Sequence, residues 1–192
     1  LSYGTTLAAA LAHLALKQHD AVGLTLYADE VIAHLDPRAK PHQLDEILAA
    51  IATTKARPKS DASRALRQAA ELCRHRGMVV VISDFFDDMG AITRGFDQLR
   101  YRQHEVLAFQ VWDPWERYLP LDGNIRFSDM ETHEELTTHA DGVREKYLKA
   151  IDNWRAELAA ECLNRGIDRI EMTTDDPLDQ ALLDYLVHRT KV

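Results

Sequence analysis

Cysteine is scarce. Only Cys73 and Cys162 occur in 192 residues, each within helical periodicity and neither in a Cys-x-x-Cys arrangement, so both read as reduced core or boundary thiols of a cytoplasmic protein. No apolar run approaches the roughly 18 residues that a membrane span requires, and the first residues hold neither a basic leader nor an initiating methionine. Basic excess is lacking as well. With 31 acidic against 23 basic residues the net charge is −8, which weighs against a nonspecific nucleic-acid or anionic-membrane surface and leaves room only for a local basic patch.

The signatures of several enzyme classes are missing too. There is no Gly-x-Ser-x-Gly elbow, and Ser83 followed by Asp84 has no adjacent general base. No Gly-x-x-x-x-Gly-Lys-Ser/Thr loop is present, so any ATPase activity belongs to a partner. The nine histidines include no His-Glu-x-x-His pair and read as scattered surface residues; His133 in "METHEE" lies close to carboxylates without a ligand geometry.

What is present is enough apolar residue, 46%, to bury one sizeable core, and one domain over residues 1–192 is the default. The spacing of Leu7, Leu11, Leu14 and Ala15 predicts a helix, followed by the strand "AVGLTLYA" and a second extended run, "VIAHL", as a hairpin. Leu44, Ile47, Leu48 and Ile51 predict another helix. "DASRALRQAAELCRHRG" predicts a helix stopped by Gly77, and "MVVVIS" a strand covered on both faces. A helix from about Ala91 to Tyr101, the strand "EVLAFQVW", an irregular stretch containing "DPWERYLPLDG" and a minor extended run, "NIRFSD", follow. A long helix ends at Gly166, and the strand "IDRIEMTT" leads to a last helix begun by Pro177. This alternation predicts an α/β fold with a mostly parallel sheet covered on both faces.

Loops leaving the carboxyl ends of such strands form the default ligand crevice. They carry Asp29, Asp84, Asp87, Asp88, Asp113, Asp175 and Asp176. "SDASRAL" opening a helix, "VVVISDF" as a strand ending in aspartate, and the order of elements around them resemble a von Willebrand factor A-like domain. "LAAALAHLALKQHDAVGLTLYAD", "HEVLAFQVWDPWE" and "CLNRGIDRIEMTTDDPLDQALLDYLVHR" extend the resemblance over almost the whole chain to a bacterial family of unknown function with this fold, commonly encoded beside MoxR-type AAA+ ATPases.

The resemblance implies a metal-ion-dependent adhesion site, but an incomplete one. Asp84 matches its third-loop aspartate and Ser60 stands where its threonine is expected, while the Asp-x-Ser-x-Ser motif is absent and "LSYGTT" has no preceding strand to replace it. Asp84 and Ser60 alone offer too few oxygens for near-octahedral Mg²⁺. The strand that would carry the motif lies, in this fold, between "GLTLYA" and "VVVIS". We therefore expect an N-terminally incomplete domain, with the central strand before Leu1 and Mg²⁺ binding only if that segment brings an Asp-x-Ser-x-Ser motif; the upstream coding sequence tests this.

The bland readings are specific. Asp84 also fits a polar end to a buried strand, Asp87 and Asp88 solvated helix-leading carboxylates, and Ser60 or Asp61 a helix N-cap. Trp112 and Trp115 fit either partner anchors or strand-end and loop packing. The favoured expectation is a non-enzymatic protein-interaction domain that recognises its partner through the strand-end surface around Ser60 and Asp84, with Asp61, Asp87, Asp88, Trp112, Asp113 and Trp115 as further contact residues. The family resemblance implies a MoxR-type ATPase or its complex as partner, in complex assembly or remodelling, with no nucleic acid and with membrane anchoring only through flanking sequence. Alternatives are a divalent-metal-dependent hydrolase using Asp84 with Asp113, and a purely structural domain.

Overall fold

A computed structural model describes residues 2–54, 62–121, 123–128 and 135–189. In chain order the elements are α1 (Ser2–Lys17), β1 (Val22–Tyr27), β2 (Val31–Arg38), α2 (Gln43–Thr53), α3 (Ala62–Leu72), β3 (Met78–Ser83) and α4 (Met89–Tyr101). They continue with β4 (Glu105–Trp112), α5 (Pro114–Tyr118), β5 (Asn124–Ser128), β6 (Glu135–His139), α6 (Ala140–Asn164), β7 (Asp168–Thr173) and α7 (Leu178–Arg189).

β3, β4 and β7 form a parallel sheet with β4 in the centre, in register from Met78 against Glu105 and from Leu107 against Asp168. Because successive side chains point to opposite faces, a strand buried on both faces must be apolar throughout. Val79 and Val81 of β3, with Val106 and Ala108 of β4, pack on Leu66 and Ala70 of α3, Ile92, Phe96 and Leu99 of α4, and Leu158 of α6. The intervening residues Val80, Ile82, Leu107 and Phe109 pack on Leu7 and Leu11 of α1 and on Leu178, Leu182 and Leu186 of α7. A Cβ on Gly95 would lie 2.6 Å from the Cβ of Leu66, so only glycine allows α3 and α4 to approach this closely.

β1 and β2 form an antiparallel hairpin as expected, with Thr25 opposite His34 and Thr25 Oγ1 2.9 Å from His34 Nδ1. Gln43, 2% exposed, fastens it to α2 by donating from Nε2 to the carbonyls of Val22 and Asp36 at 2.8 and 3.0 Å. The hairpin does not join the parallel sheet. Among the described residues β3 pairs only with β4 and β1 only with β2, so the neighbours of the expected central strand do not close on one another. Apolar packing of α1 against Val80 and Ile82 covers the parallel sheet beside this break. The mostly parallel sheet of the sequence reading is thus a three-stranded parallel core flanked by hairpins.

Three smaller expectations change. α3 stops at Leu72 rather than at Gly77, because the Cys73 carbonyl accepts from His104 Nε2 at 3.2 Å and the Gly77 carbonyl accepts from Glu105 N at 3.0 Å. His104 is accordingly a core residue, 1% exposed, and not a surface histidine. The stretch read as irregular contains α5, and Glu135–His139 pairs with β5 as a strand. His133 lies outside the described residues.

Three helices end in the same way. At α6, Ile167 N donates to Cys162 O and Gly166 N to Leu163 O, with Gly166 at φ 61°; this doubly bonded ending needs a left-handed residue, normally glycine. The equivalent residues after α1 and α4 are His19 (φ 64°) and Gln103 (φ 62°), with the matching bonds Asp20 N to Ala15 O and His104 N to Leu99 O. Exposed His19 should therefore accept glycine: His19→Gly is expected to raise unfolding free energy by about 0.5 kcal/mol, relief of the left-handed strain exceeding the added chain entropy, and His19→Val to lower it by about 1 kcal/mol. Denaturant midpoints of the two variants would expose an error in this order. Amide exchange tests the architecture: β4, bonded along both edges, should be the slowest strand, and β3 should show slow and fast amides in alternation. Uniformly slow exchange across β3 would mean that its outer edge is paired.

Candidate functional site

At the carboxyl end of β3 the chain turns through Ser83–Asp88. Ser83 Oγ accepts from Phe85 N at 3.0 Å, and Asp84 Oδ1 accepts from Phe86 N at 3.0 Å, so each side chain holds the backbone two residues on. Phe85 sits at φ 58° with its ring 1% exposed and 5.7 Å from the Phe96 ring. A bulky residue in the left-handed region costs on the order of 1–3 kcal/mol, and burial of the ring offsets it. The turn is thereby pinned from below. Asp84 remains exposed on top.

The other acids are placed as helix-leading groups. Asp88 caps α4 by accepting from Ala91 N at 2.8 Å, and its exposed carboxylate lies 3.8 Å from Arg94. Asp87 accepts from Asp88 N at 2.7 Å. Asp113 caps α5 by accepting from Trp115 N at 2.9 Å, with Pro114 in the first turn.

The tryptophans divide. Trp112, at the end of β4, is 0% exposed and cannot present its ring to a partner, which corrects its placement among the recognition residues. It forms the floor under Phe86, whose ring meets Trp112 edge-on at 5.0 Å and stacks on Trp154 at 5.5 Å. Trp115, by contrast, is 59% exposed. Tyr118, one turn further along α5, and Phe86 are also open to solvent. Arg117 spans the buried and open aromatics, with its guanidinium carbon 5.9 Å from the Trp112 centroid and 5.5 Å from that of Tyr118.

Beneath α5 lies an ion network unread in the sequence. Glu171 of β7 accepts from Arg155 Nε at 2.6 Å, lies 3.0 Å from Arg169 and 3.5 Å from Arg117, and Asp152 adds contacts to Arg117 and Arg155 at 3.6 and 2.9 Å. Arg169 also donates to the buried Gln110 side chain. The only sequence signal was Arg169-x-Glu171, two charges on one face of an otherwise buried strand. Tyr147 of α6 donates to the Glu116 carbonyl at 2.7 Å and ties α5 down from the other side.

Two further groups border the acidic turn. Burial pushes the Glu116 carboxyl above its usual range; a backbone hydrogen bond at Asp113 opposes this, and the charges on Asp84 and Asp113 reinforce it. The Tyr27 hydroxyl at the end of β1 is buried beside Ser83 without a well-formed hydrogen bond. Burial drives it up to about 12, with the Ser83 hydroxyl working against this and the Asp84 charge adding to it.

Ser60 and Asp61 lie outside the described residues, so of the proposed cation ligands only Asp84 is placed. Among the described residues no group of three or more His, Cys, Asp or Glu is arranged to hold a metal ion. Asp84, with one oxygen engaged by the Phe86 amide, does not suffice for a divalent cation. The described residues bring Asp84, Asp113, Glu116 and Trp115 to one end of the sheet, and they leave Trp112 beneath that surface.

Below pH 10 Tyr27 is protonated in both folded and unfolded chains. Above it the unfolded chain ionises first, so the folded state holds the extra proton and stability falls as pH rises from 10 towards 12. Tyr3 and Tyr147 are raised in the same direction, chiefly by burial. The expected result is therefore a difference: Tyr27→Phe unfolds with a shallower loss above pH 10 than the parent, and changes stability at pH 7 by less than about 1 kcal/mol, since the hydroxyl has no strong bond to lose. Equal slopes in alkaline urea titrations would show that Tyr27 ionises normally.

The chain is similar to uncharacterised mycobacterial proteins. The uncharacterised protein MAV169 of Mycobacterium avium is 32% identical over 149 residues, covering 72% of this chain and 83% of that protein. The uncharacterised protein Rv1480 of Mycobacterium tuberculosis (strain ATCC 25618 / H37Rv) is 28% identical over 139 residues, and the match spans 43% of its length. The crystal structure of the conserved hypothetical protein BatB from Bacteroides thetaiotaomicron superposes with a TM-score of 0.58 at 11% identity, covering 98% of this chain and 87% of that one. That likeness establishes a von Willebrand factor A-like fold and nothing about activity. No described helix is long and apolar enough to cross a membrane. Residues 3–157 match the family described as protein of unknown function DUF58, and the chain belongs to that family.

Proposed function

We propose that this chain is a non-enzymatic interaction domain that recognises another protein through the loops following β3 and β4. The observation that carries this reading is the exposure of Trp115, Tyr118 and Phe86, at 59%, 50% and 39%, beside Asp84, Asp113 and Glu116. Exposed aromatics inside a polar rim are the residue types that dominate binding energy at protein interfaces. Arg117 has its charge met by Asp152 and Glu171, so the open surface is net acidic and suits a partner presenting Lys or Arg beside an apolar pocket.

The partner we assign is a MoxR-type AAA+ ATPase or its complex, beside which members of the resembled family are commonly encoded, in assembly or remodelling of a larger complex. A divalent cation would enter only with ligands from an Asp-x-Ser-x-Ser motif outside this sequence. It would then complete its coordination on a partner carboxylate, without chemistry attached.

Pull-down with the ATPase tests the surface directly. Trp115→Ala and Asp84→Ala are each expected to weaken capture about tenfold or more, near 1.4 kcal/mol. Unchanged recovery with both substitutions combined would move the interface elsewhere. Turnover that requires Mg²⁺ or Mn²⁺ and vanishes in Asp84→Ala and Asp113→Ala would replace the interaction reading with the hydrolase.

A further inference from the structure

The opposite end of the sheet gathers arginines. Arg74, His75 and Arg76 lie in the exposed loop entering β3, and Arg100, Tyr101, Arg102 and Gln103 form the exposed ending of α4 that enters β4. These loops are neighbours, since Glu105 N donates to Gly77 O at 3.0 Å. Arg165 at the same end is occupied by Asp97, at 2.7 Å, and by Glu161. Arg74, Arg76, Arg100 and Arg102, in contrast, have no carboxylate partner among the described residues. In a chain of net charge −8, four arginines without a carboxylate partner among the described residues thus fall in two adjoining loops, and two of them, Arg76 and Arg100, meet at one cleft.

Arg76, Arg100 and Gln103 line an open cleft of about 340 Å³. Arg100 is held in place, because its Nη1 donates to the His104 carbonyl at 2.9 Å and His104 is itself buried and bonded to Cys73 O. One guanidinium donor is thus spent on positioning, and the remainder of the fork is available at the cleft. Gln103 reaches the same cleft from the left-handed residue that closes α4. Tyr101, 89% exposed, stands in the same helix ending.

We infer that this cleft is a binding site for a phosphate group. Two guanidiniums and a neutral amide converge without an intervening carboxylate, so a compact dianion neutralises both charges where a single carboxylate would leave one unmet. Planar arginine forks match phosphate oxygens in pairs. A soluble polyphosphate ligand and a lipid headgroup present the same recognising chemistry. This inference is independent of the acidic surface at the other end.

Calorimetry of the full chain with pyrophosphate is expected to give saturable binding that weakens with salt and falls at least tenfold in Arg76→Glu, a substitution at an exposed loop residue. Arg64→Glu, remote from the cleft and paired with Glu30, should bind as the parent does. Flotation with phosphatidylcholine vesicles containing phosphatidic acid, whose phosphomonoester takes a second negative charge near neutral pH, separates the sources. Vesicle binding displaced by pyrophosphate identifies a headgroup at the cleft, and pyrophosphate binding without vesicle binding identifies a soluble ligand. No saturable pyrophosphate binding, equal binding by Arg76→Glu, or binding confined to a polyglutamate peptide or a single-stranded oligonucleotide would each overturn the proposal.

Discussion

The constraint on which the rest depends is the double pairing of β4. Its backbone is committed on both edges, to β3 and to β7, in unbroken parallel register. In a parallel sheet all strands enter at one end and leave at the other, so this register sends the β3, β4 and β7 exit loops to a common surface. It also gathers the entry loops at the far end. Both candidate binding surfaces follow from it, without either being needed to stabilise the other.

The charges are sorted by the same geometry. Acids at the exit end act first as helix caps and turn-holders, as Asp84, Asp88 and Asp113 do. Between the ends, Glu171 gathers Arg117, Arg155 and Arg169. Shared among these three cations, the Glu171 carboxylate ties α5 and α6 to β7. The aromatic surface on α5 is therefore positioned by an ion network centred on the largely buried Glu171, with Asp152 at its exposed margin.

Much of the fold was legible because its signals are local. The unbroken apolar runs of β3 and β4, the β1–β2 hairpin and Gly166 at the end of α6 each read correctly from neighbouring residues. His19 and Gln103 perform the task of Gly166 without being glycine, so composition alone could not mark those helix ends. β6 depends on pairing with β5, and α5 is too short for periodicity, although Asp113–Pro114 was a legible cap. At the site, the exposed acids were found by their position after strands. Trp112 was misplaced because its burial comes from Phe86 and Trp154, the latter 42 residues away in sequence. Glu116, Tyr27 and the Glu171 network depend likewise on contacts between distant segments.

The left-handed Phe85 joins the acidic turn to the interior in a way that exposure alone does not reveal. Its ring is seated among Phe96 and the α4 core, while its backbone sits between Asp84 and Phe86. The turn cannot change shape without lifting that ring from its seat, and the core beneath cannot relax without releasing strain at the surface. The shape of this edge is consequently exposed to substitutions buried well beneath it: surface geometry and core packing depend here on the same residue.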